Sequence, residues 1–310
     1  MLRITADIFS GRPNPVWEVR DEAEARATLR ALTADRGLLT DDAPVESGLG
    51  FRGFQVETLG DDFGTDFGIG ASSYLAVGPV AGGAGAAELG QRLIDLIATS
   101  EYSGFTAEDV LPLDEPLAEF LTGQLESVTS LESSSHTSVR DEGNSAPAGD
   151  VEAAVTCTIE RAAFNPGFWN NDATVRAKNN CYNYASNWRT NTFAQPGRGT
   201  GSIYTAINCA EVGRAALHDG MHHRFDCFPD AEKPRPLVAL VVSPTPGFID
   251  YHWYRLQREA FWGHKPGGTA ARNTDNSGVV ITNPETANRG PYTIFCGYFY
   301  GCNSQRQRIR

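Results

Sequence analysis

Lysine is nearly missing from this chain. Three occur among 310 residues, Lys178, Lys233 and Lys265, and arginine carries the remaining positive charge. None lies in the first 150 residues, where nine arginines face 26 acidic residues for a net −17. The remainder holds 17 basic against 12 acidic residues, a net +5. With an acidic total of −12 and no stripe of basic and aromatic residues, nucleic acid is excluded as a partner. Long apolar runs are missing too. The longest aliphatic run, Leu237 to Val242, has six residues, whereas a helical membrane span needs about 20. The start, MLRITADIFSGRPNPVWEV, has no basic-then-apolar segment and no small-residue cleavage site, so no signal peptide is expected. The default location is then the cytoplasm, with export by a route lacking such a signal left open. Cysteine is absent from the first 150 residues, and the six that follow form no C-x-x-C, which excludes a zinc ribbon or a thioredoxin motif. The glycine-rich PGRGTGS lacks the Lys-Ser/Thr of a phosphate-binding loop and reads as a loop beside a cleft. No motif calls for a cofactor.

What is present divides into an α+β chain of two domains. Residues 1–126 read as a small acidic α+β accessory domain. LRITADIF, GFRGFQVETL and SYLAVGPV have strand character, and DEAEARATLRAL is a helix that Asp21 caps, with Glu24 in the capping-box position. AAELGQRLIDLIATS is amphipathic, with Leu89, Leu93, Leu96 and Ile97 on one face, and DEPLAEFLTGQLES is a third helix. Residues 127–150, rich in serine, read as a flexible linker. Residues 151–310 read as helices followed by an antiparallel sheet. IYTAINCAEVGRAALHDG is a helix closed by Gly220, PLVALVVSP a central strand, and IDYHWYRLQ, AFWGHKPG, SGVVIT and YTIFCGYFYG further strands. The opposite charges of the halves favour docking of the acidic domain on the basic one.

The chemistry-bearing stretch is RAKNNCYNYASNWRT. Asn179 or Asn180 is a good helix cap, and Cys181, Tyr184, Ala185 and Trp188 share one helical face. Cys181 thus stands in a first helical turn, where free N–H groups favour a thiolate. Three readings stay open for it: a nucleophile, a disulfide partner, or a packed thiol. A base is supplied by DYHWYRLQREAFWGHKPG. A hairpin turning at Arg258 sets His252 opposite His264, and Asp250 lies on the same face two residues earlier. One imidazole serves as base while the other, or Asp250, holds its tautomer; Asp275-Asn276 is a less direct candidate.

A cysteine opening a helix, then a histidine on a strand and a polar residue on the next, resembles the papain-like cysteine hydrolases. The spacing of His252 and His264 is similar to the Cys-His-polar order of their NlpC/P60 branch, although NCYNYA stands where that branch has a DCSGF-like start. The resemblance covers roughly residues 170–267. It implies a helix supporting a small antiparallel sheet and the hydrolysis or transfer of an amide bond in a peptide or related substrate. Carried over by position, Cys181 is the nucleophile, His252 the base and His264 or Asp250 the orienting residue. The oxyanion would be held by the Cys181 N–H with Asn179 or Asn180.

The alternative is a non-enzymatic binding protein with structural cysteines, recognising its partner through aromatic residues of 182–188 and 251–262, among them Trp188, Trp253 and Trp262. His218, His222, His223 and Cys227 have metal-ligand chemistry, but Gly220 breaks the helix between the first two, and no metal is expected. Cys296 and Cys302 flank GYFYG and would either bridge that turn in an oxidising compartment or pack as thiols in the cytosol.

Overall fold

The computed structural model describes residues 1–44, 48–60, 64–77, 83–99, 113–133, 159, 161–223 and 235–310. These residues form an α+β protein with two five-stranded antiparallel sheets. The first sheet has the order β2-β1-β4-β5-β3, with β1 Leu2–Asp7, β2 Val16–Val19, β3 Leu39–Thr40, β4 Gly53–Thr58 and β5 Ser72–Ala76. Alternation puts Leu2, Ile4 and Ala6 on one fully buried face of β1. Helix α1 (Glu22–Ala34) starts at Asp21, whose carboxylate accepts the Glu24 N–H at 2.9 Å as the sequence predicts. Helix α2 (Gly83–Thr99) buries Ala86, Ala87, Gly90, Leu93, Ile94 and Ile97. The inward face is therefore rotated from the expected one, and Leu89 and Leu96 are only partly covered. Helix α3 (Glu115–Ser133) continues into the stretch expected to be linker from residue 127. The rest of that linker, with Cys157 and Cys227, lies outside the described residues.

The second half carries α4 (Gly167–Asn170), α5 (Ala173–Lys178), α6 (Cys181–Ala185), α7 (Cys209–His218), β6 (His222–His223), β7 (Leu237–Thr245), β8 (Phe248–Leu256), β9 (Trp262–His264), β10 (Ile294–Tyr300) and α8 (Asn303–Arg308). Its sheet has the order β6-β10-β7-β8-β9, with β7 central as its continuous apolar run predicts. Helix α7 begins only at Cys209, because Asn208 caps it through the Glu211 N–H, and the chain turns at Gly220 with φ 106°. The expected strand at SGVVIT does not form. The Asp275 carboxylate ties the N–H groups of Ser277 and Val279 into a turn, leaving one isolated bridge, Thr274 with Val280.

The faces of the second sheet have different neighbours. Val238, Leu240 and Val242 of β7 and Tyr251 and Trp253 of β8 join Cys181, Tyr182, Ala185, Val212 and Ala216 in a core between sheet and helices. The opposite face, with Ala239, Val241, Phe248, Tyr254 and Leu256, joins the core of the first half, including Phe9, Phe54, Leu117 and Leu121. The Phe248 ring lies 5.8 Å from Phe9 and 5.2 Å from Phe120. The halves thus share apolar interior. Asp7 and Arg52 form a buried ion pair beneath the 8–11 segment; Arg52 also donates to the carbonyls of Gly50 and Phe9. Burial pushes the Asp7 carboxyl up, but the Arg52 charge and hydrogen bonds outweigh it, and the net shift is downward.

Gly11 lies against β8. A Cβ there would sit 2.5 Å from both the ring and the carbonyl oxygen of Tyr251. Gly11→Ala is expected to destabilise the protein by about 1–3 kcal/mol through overpacking, read as a lowered urea midpoint; an unchanged midpoint would contradict the tight seating of this segment.

Candidate functional site

Helix α6 places Cys181 at its first position. Asn180 caps it, accepting the Tyr182 and Asn183 N–H groups at 3.1 Å each, while the Asn183 side chain accepts the Asn180 N–H. The helix ends at Ala185, and Trp188 lies beyond it, 46% exposed rather than on the inward face expected from its spacing. Cys181 is a free thiol with no solvent exposure. Burial, seconded by the Asp250 charge, pushes its pKa well above the ordinary value. The thiolate expected at a helix start is therefore disfavoured, since a five-residue helix supplies too little dipole to offset full desolvation.

The two imidazoles do meet. The strands pair as Tyr254 with His264 and Leu256 with Trp262, so His252 stands diagonal to His264 rather than opposite it. His252 Nε2 and His264 Nδ1 are 2.9 Å apart, and His264 Nε2 is 2.9 Å from the Thr274 carbonyl. Arg272 Nε–H also donates to His264 Nε2 at 3.3 Å, so that nitrogen faces both a donor and a carbonyl acceptor. His252 Nδ1 is buried and has no hydrogen-bond partner among the described residues. Both rings are fully buried, and burial holds both pKa values well below the ordinary one, helped by their neighbours' positive charge. They belong to the face of β8 that carries Tyr254. Cys181 packs with Tyr251 and Trp253 on the other face. The expected pairing of Cys181 with His252 or His264 is not assembled, because alternation along β8 sends the thiol's neighbours and the imidazoles to opposite sides of the sheet.

Asp250 has another partner set. Its carboxylate accepts the N–H groups of Ser10 (2.6 Å), Gly11 (3.2 Å) and Arg12 (3.1 Å) and the Tyr292 hydroxyl (2.5 Å). It orients a backbone segment of the first half, not an imidazole. Burial outweighs these bonds, and its pKa is raised.

The remaining candidates are likewise engaged. Asn179 accepts the N–H groups of Thr190 and Asn191 and donates to the Val175 carbonyl and the Asn191 side chain. Asn180 donates to the carbonyls of Gly11 and Ala194. Neither amide is left to hold an oxyanion. Trp253 and Trp262 are buried and line no surface for substrate. Asp275 holds local backbone, whereas Asn276 binds both backbone polar groups of Leu49, 227 positions away in the first half. Lys265, which sequence reasoning passed over, is fully buried and donates to the carbonyls of Arg176 (2.5 Å), Asn179 (2.5 Å) and Gly267 (2.7 Å). Its three donors match three acceptors, two at the C-terminal end of α5 and one two residues along its own segment. A lysine directly after a strand histidine was the only signal for it.

One segment is both rigid and exposed. Asn187 (φ 51°), Asn191 (φ 56°) and Phe193 (φ 54°) all lie in the left-handed region, each at a cost of about 1–3 kcal/mol. The buried amides compel this course: Asn183 donates to the Trp188 carbonyl and Thr190 Oγ1 and accepts from the Ala194 N–H, while Asn179 holds the 190–191 backbone. The loop presents Trp188 and Arg189. The Arg189 guanidinium lies 3.4 Å from the ring centre of Phe168, itself 42% exposed. Arg306 lies over Trp188. Arg189 has no hydrogen bond or ion pair among the described residues.

Cys209 pairs with Cys296 in a disulfide, so of the two readings for Cys296 and Cys302 the bridge between them is not made, and Cys302 is a buried free thiol. The register of β10 shifts between Phe295 and Gly297, and this bulge turns Cys296 toward the first residue of α7. Cys302 Sγ instead donates to the Gly220 carbonyl. His218 and His223 line a groove beside the disulfide, and among the described residues no group of three or more ligands could hold a metal ion. No helix among the described residues is long and apolar enough to cross a membrane.

Insoluble matrix shell protein 1 from Ruditapes philippinarum is 48% identical to this chain over 147 residues, which make up 47% of this chain and 93% of that protein. No family model matches the chain, and no solved structure matches it.

The buried imidazoles set an acid limit. Each stays neutral in the folded chain and takes up a proton near pH 6.5 once unfolded. Their contribution to stability is whole above that pH and lost as pH falls below it, by about 1.4 kcal/mol per pH unit for each ring that titrates only on unfolding. Urea midpoints are expected to fall from pH 7 to pH 5, and the slope to lessen in His252→Leu. A flat profile in the unmodified protein would contradict the neutral pair.

Proposed function

The chain belongs to the family of insoluble matrix shell protein 1, and we propose that it is a non-enzymatic interaction protein, a structural component of an insoluble matrix. The observation that carries this reading is the separation of Cys181 from both imidazoles by the sheet itself, with all three side chains closed to solvent. A thiol hydrolase needs a nucleophile and base within hydrogen-bond reach of each other and of substrate. On this reading the helix seated on an antiparallel sheet serves as scaffold without the catalytic pairing. Two further features support it. The Cys209–Cys296 disulfide suits an oxidising compartment, outside the cytosol. Exposed Trp188 and half-buried Arg189 stand on a loop held in one shape, beside exposed Phe168 of α4, which is what recognition without loss of conformational entropy requires. The remaining aromatics once expected on a recognition surface, Tyr182, Tyr184, Tyr251, Trp253, Tyr254 and Trp262, serve as core. The hydrogen bonds between Asp250 and the 10–12 segment support docking of the acidic half on the basic half as part of the mature architecture.

The test is alkylation of the native, non-reduced protein by iodoacetamide, read for each cysteine by peptide mass spectrometry. Cys181 is expected to remain unlabelled while the unfolded protein labels fully, and His252→Ala to leave its rate unchanged. Rapid labelling of Cys181 below pH 8.5, slowed by His252→Ala, would overturn the non-enzymatic reading in favour of a thiol hydrolase.

A further inference from the structure

Two uncommitted charges of opposite sign stand beside two exposed apolar features at different places on the molecule. The first is the loop that presents Trp188 and Arg189. The guanidinium is stacked on Phe168 and has no acidic partner among the described residues. The second lies between α1 and α2. There Ala27, Ala31, Leu89, Leu93 and Leu96 line a groove of about 320 Å³, with Glu24 and Arg92 as its charged residues, the latter neutralised by its ion pair with Glu88. At the small end of ligand-pocket volumes, it is large enough for an indole. It exists because α2 turns Ile94 and Ile97 to the core and leaves Leu89 and Leu96 half covered. The Glu24 carboxylate is exposed and holds no ion pair among the described residues, unlike Glu22 and Glu88, which pair with Arg26 and Arg92 one turn along their helices.

We infer that the occupant of the α1–α2 groove is a second copy of this chain, which inserts Trp188 between the helices and sets Arg189 against Glu24. Charge decides in favour of a second copy. The groove belongs to the half with net −17 and the loop to the half with net +5, so the contact joins unlike surfaces. A loop-to-loop or groove-to-groove contact would set like charges together. A half-exposed tryptophan held by a rigid backbone is the residue type that anchors interfaces, and a planar guanidinium matches a carboxylate with two parallel hydrogen bonds. The contact is heterologous: each copy retains a free loop or a free groove, and repetition closes a ring or extends an open chain. This inference rests on the reading of the 187–193 loop as a recognition surface and names its partner.

Sedimentation velocity on the full chain tests it. The unmodified protein is expected to self-associate with rising concentration, less so at high salt. Trp188→Ala, Arg189→Glu and Glu24→Arg are each expected to weaken association roughly tenfold or more. The decisive sample mixes Glu24→Arg with Trp188→Ala. The former keeps an intact loop and the latter an intact groove, so two species that are monomeric alone are expected to form a one-to-one dimer that grows no further. Circular dichroism of each variant establishes that it is folded. A monomeric unmodified protein, single variants that associate as it does, or a mixture that stays monomeric would each overturn the inference. Those results leave the alkylation of Cys181 untouched, so failure of the self-contact is distinguishable from failure of the non-enzymatic reading.

Discussion

The carboxylate of Asp250 is the point on which the assembly of this protein depends. It gathers three consecutive backbone N–H groups, from Ser10 to Arg12, together with the Tyr292 hydroxyl, in a place closed to solvent. Backbone donors buried between two units of structure must find acceptors, and here a single carboxylate supplies them. The same segment turns its Gly11 carbonyl outward from that clamp to accept from Asn180, Gln195 and Tyr251. The start of the chain is thereby tied to the cap of α6 and to β8 at once. The apolar contacts of Phe9, Phe120 and Phe248 supply area, and the carboxylate supplies the orientation in which that area is buried.

Buried polar residues recur throughout the second half, and they account for its enzyme-like sequence. Asn179, Asn180 and Asn183 each use both ends of the amide, and Lys265 uses all three donors. A fully satisfied polar network stabilises one backbone course over others, whereas an unsatisfied one is costly. Here the course it enforces is a loop with three left-handed residues, an exposed Trp188 and a half-buried Arg189 at its tip. The side chains that resemble catalytic machinery act on the backbone, and the surface they shape carries the interaction chemistry.

Much of the local structure was legible. The Asp21 cap, the strand character of LRITADIF, the central position of PLVALVVSP and the cap at Asn180 follow from short-range preferences that the rest of the fold does not overrule. SGVVIT has strand composition but no strand, because Asp275 offers its backbone a competing turn. The inward face assigned to α2 was off by part of a turn, since a run with leucine or isoleucine at 89, 93, 94, 96 and 97 is compatible with more than one orientation, and packing against α3 and the first sheet selected among them. Trp188 extends the helical spacing of Cys181 and Tyr184, yet the helix stops before it. The amides of Asn179 and Asn183 outcompete helix propagation, and that competition is invisible in a periodicity.

Sequence alone determined that the chain is α+β, that its charge is split between halves, and that a cysteine opens a capped helix while two histidines meet on a hairpin. These follow from composition, alternation and capping, which act over a few residues. Only the tertiary structure decided what those groups face. The side of β8 against which α6 packs, the strand bulge that turns Cys296 toward Cys209, and the collection of the 10–12 backbone by Asp250 depend on contacts between residues up to 240 positions apart. One step of register along a strand reverses every side chain. The distance between being a catalytic pair and being two halves of a core is therefore a matter of which face the helix meets, and global packing sets that face.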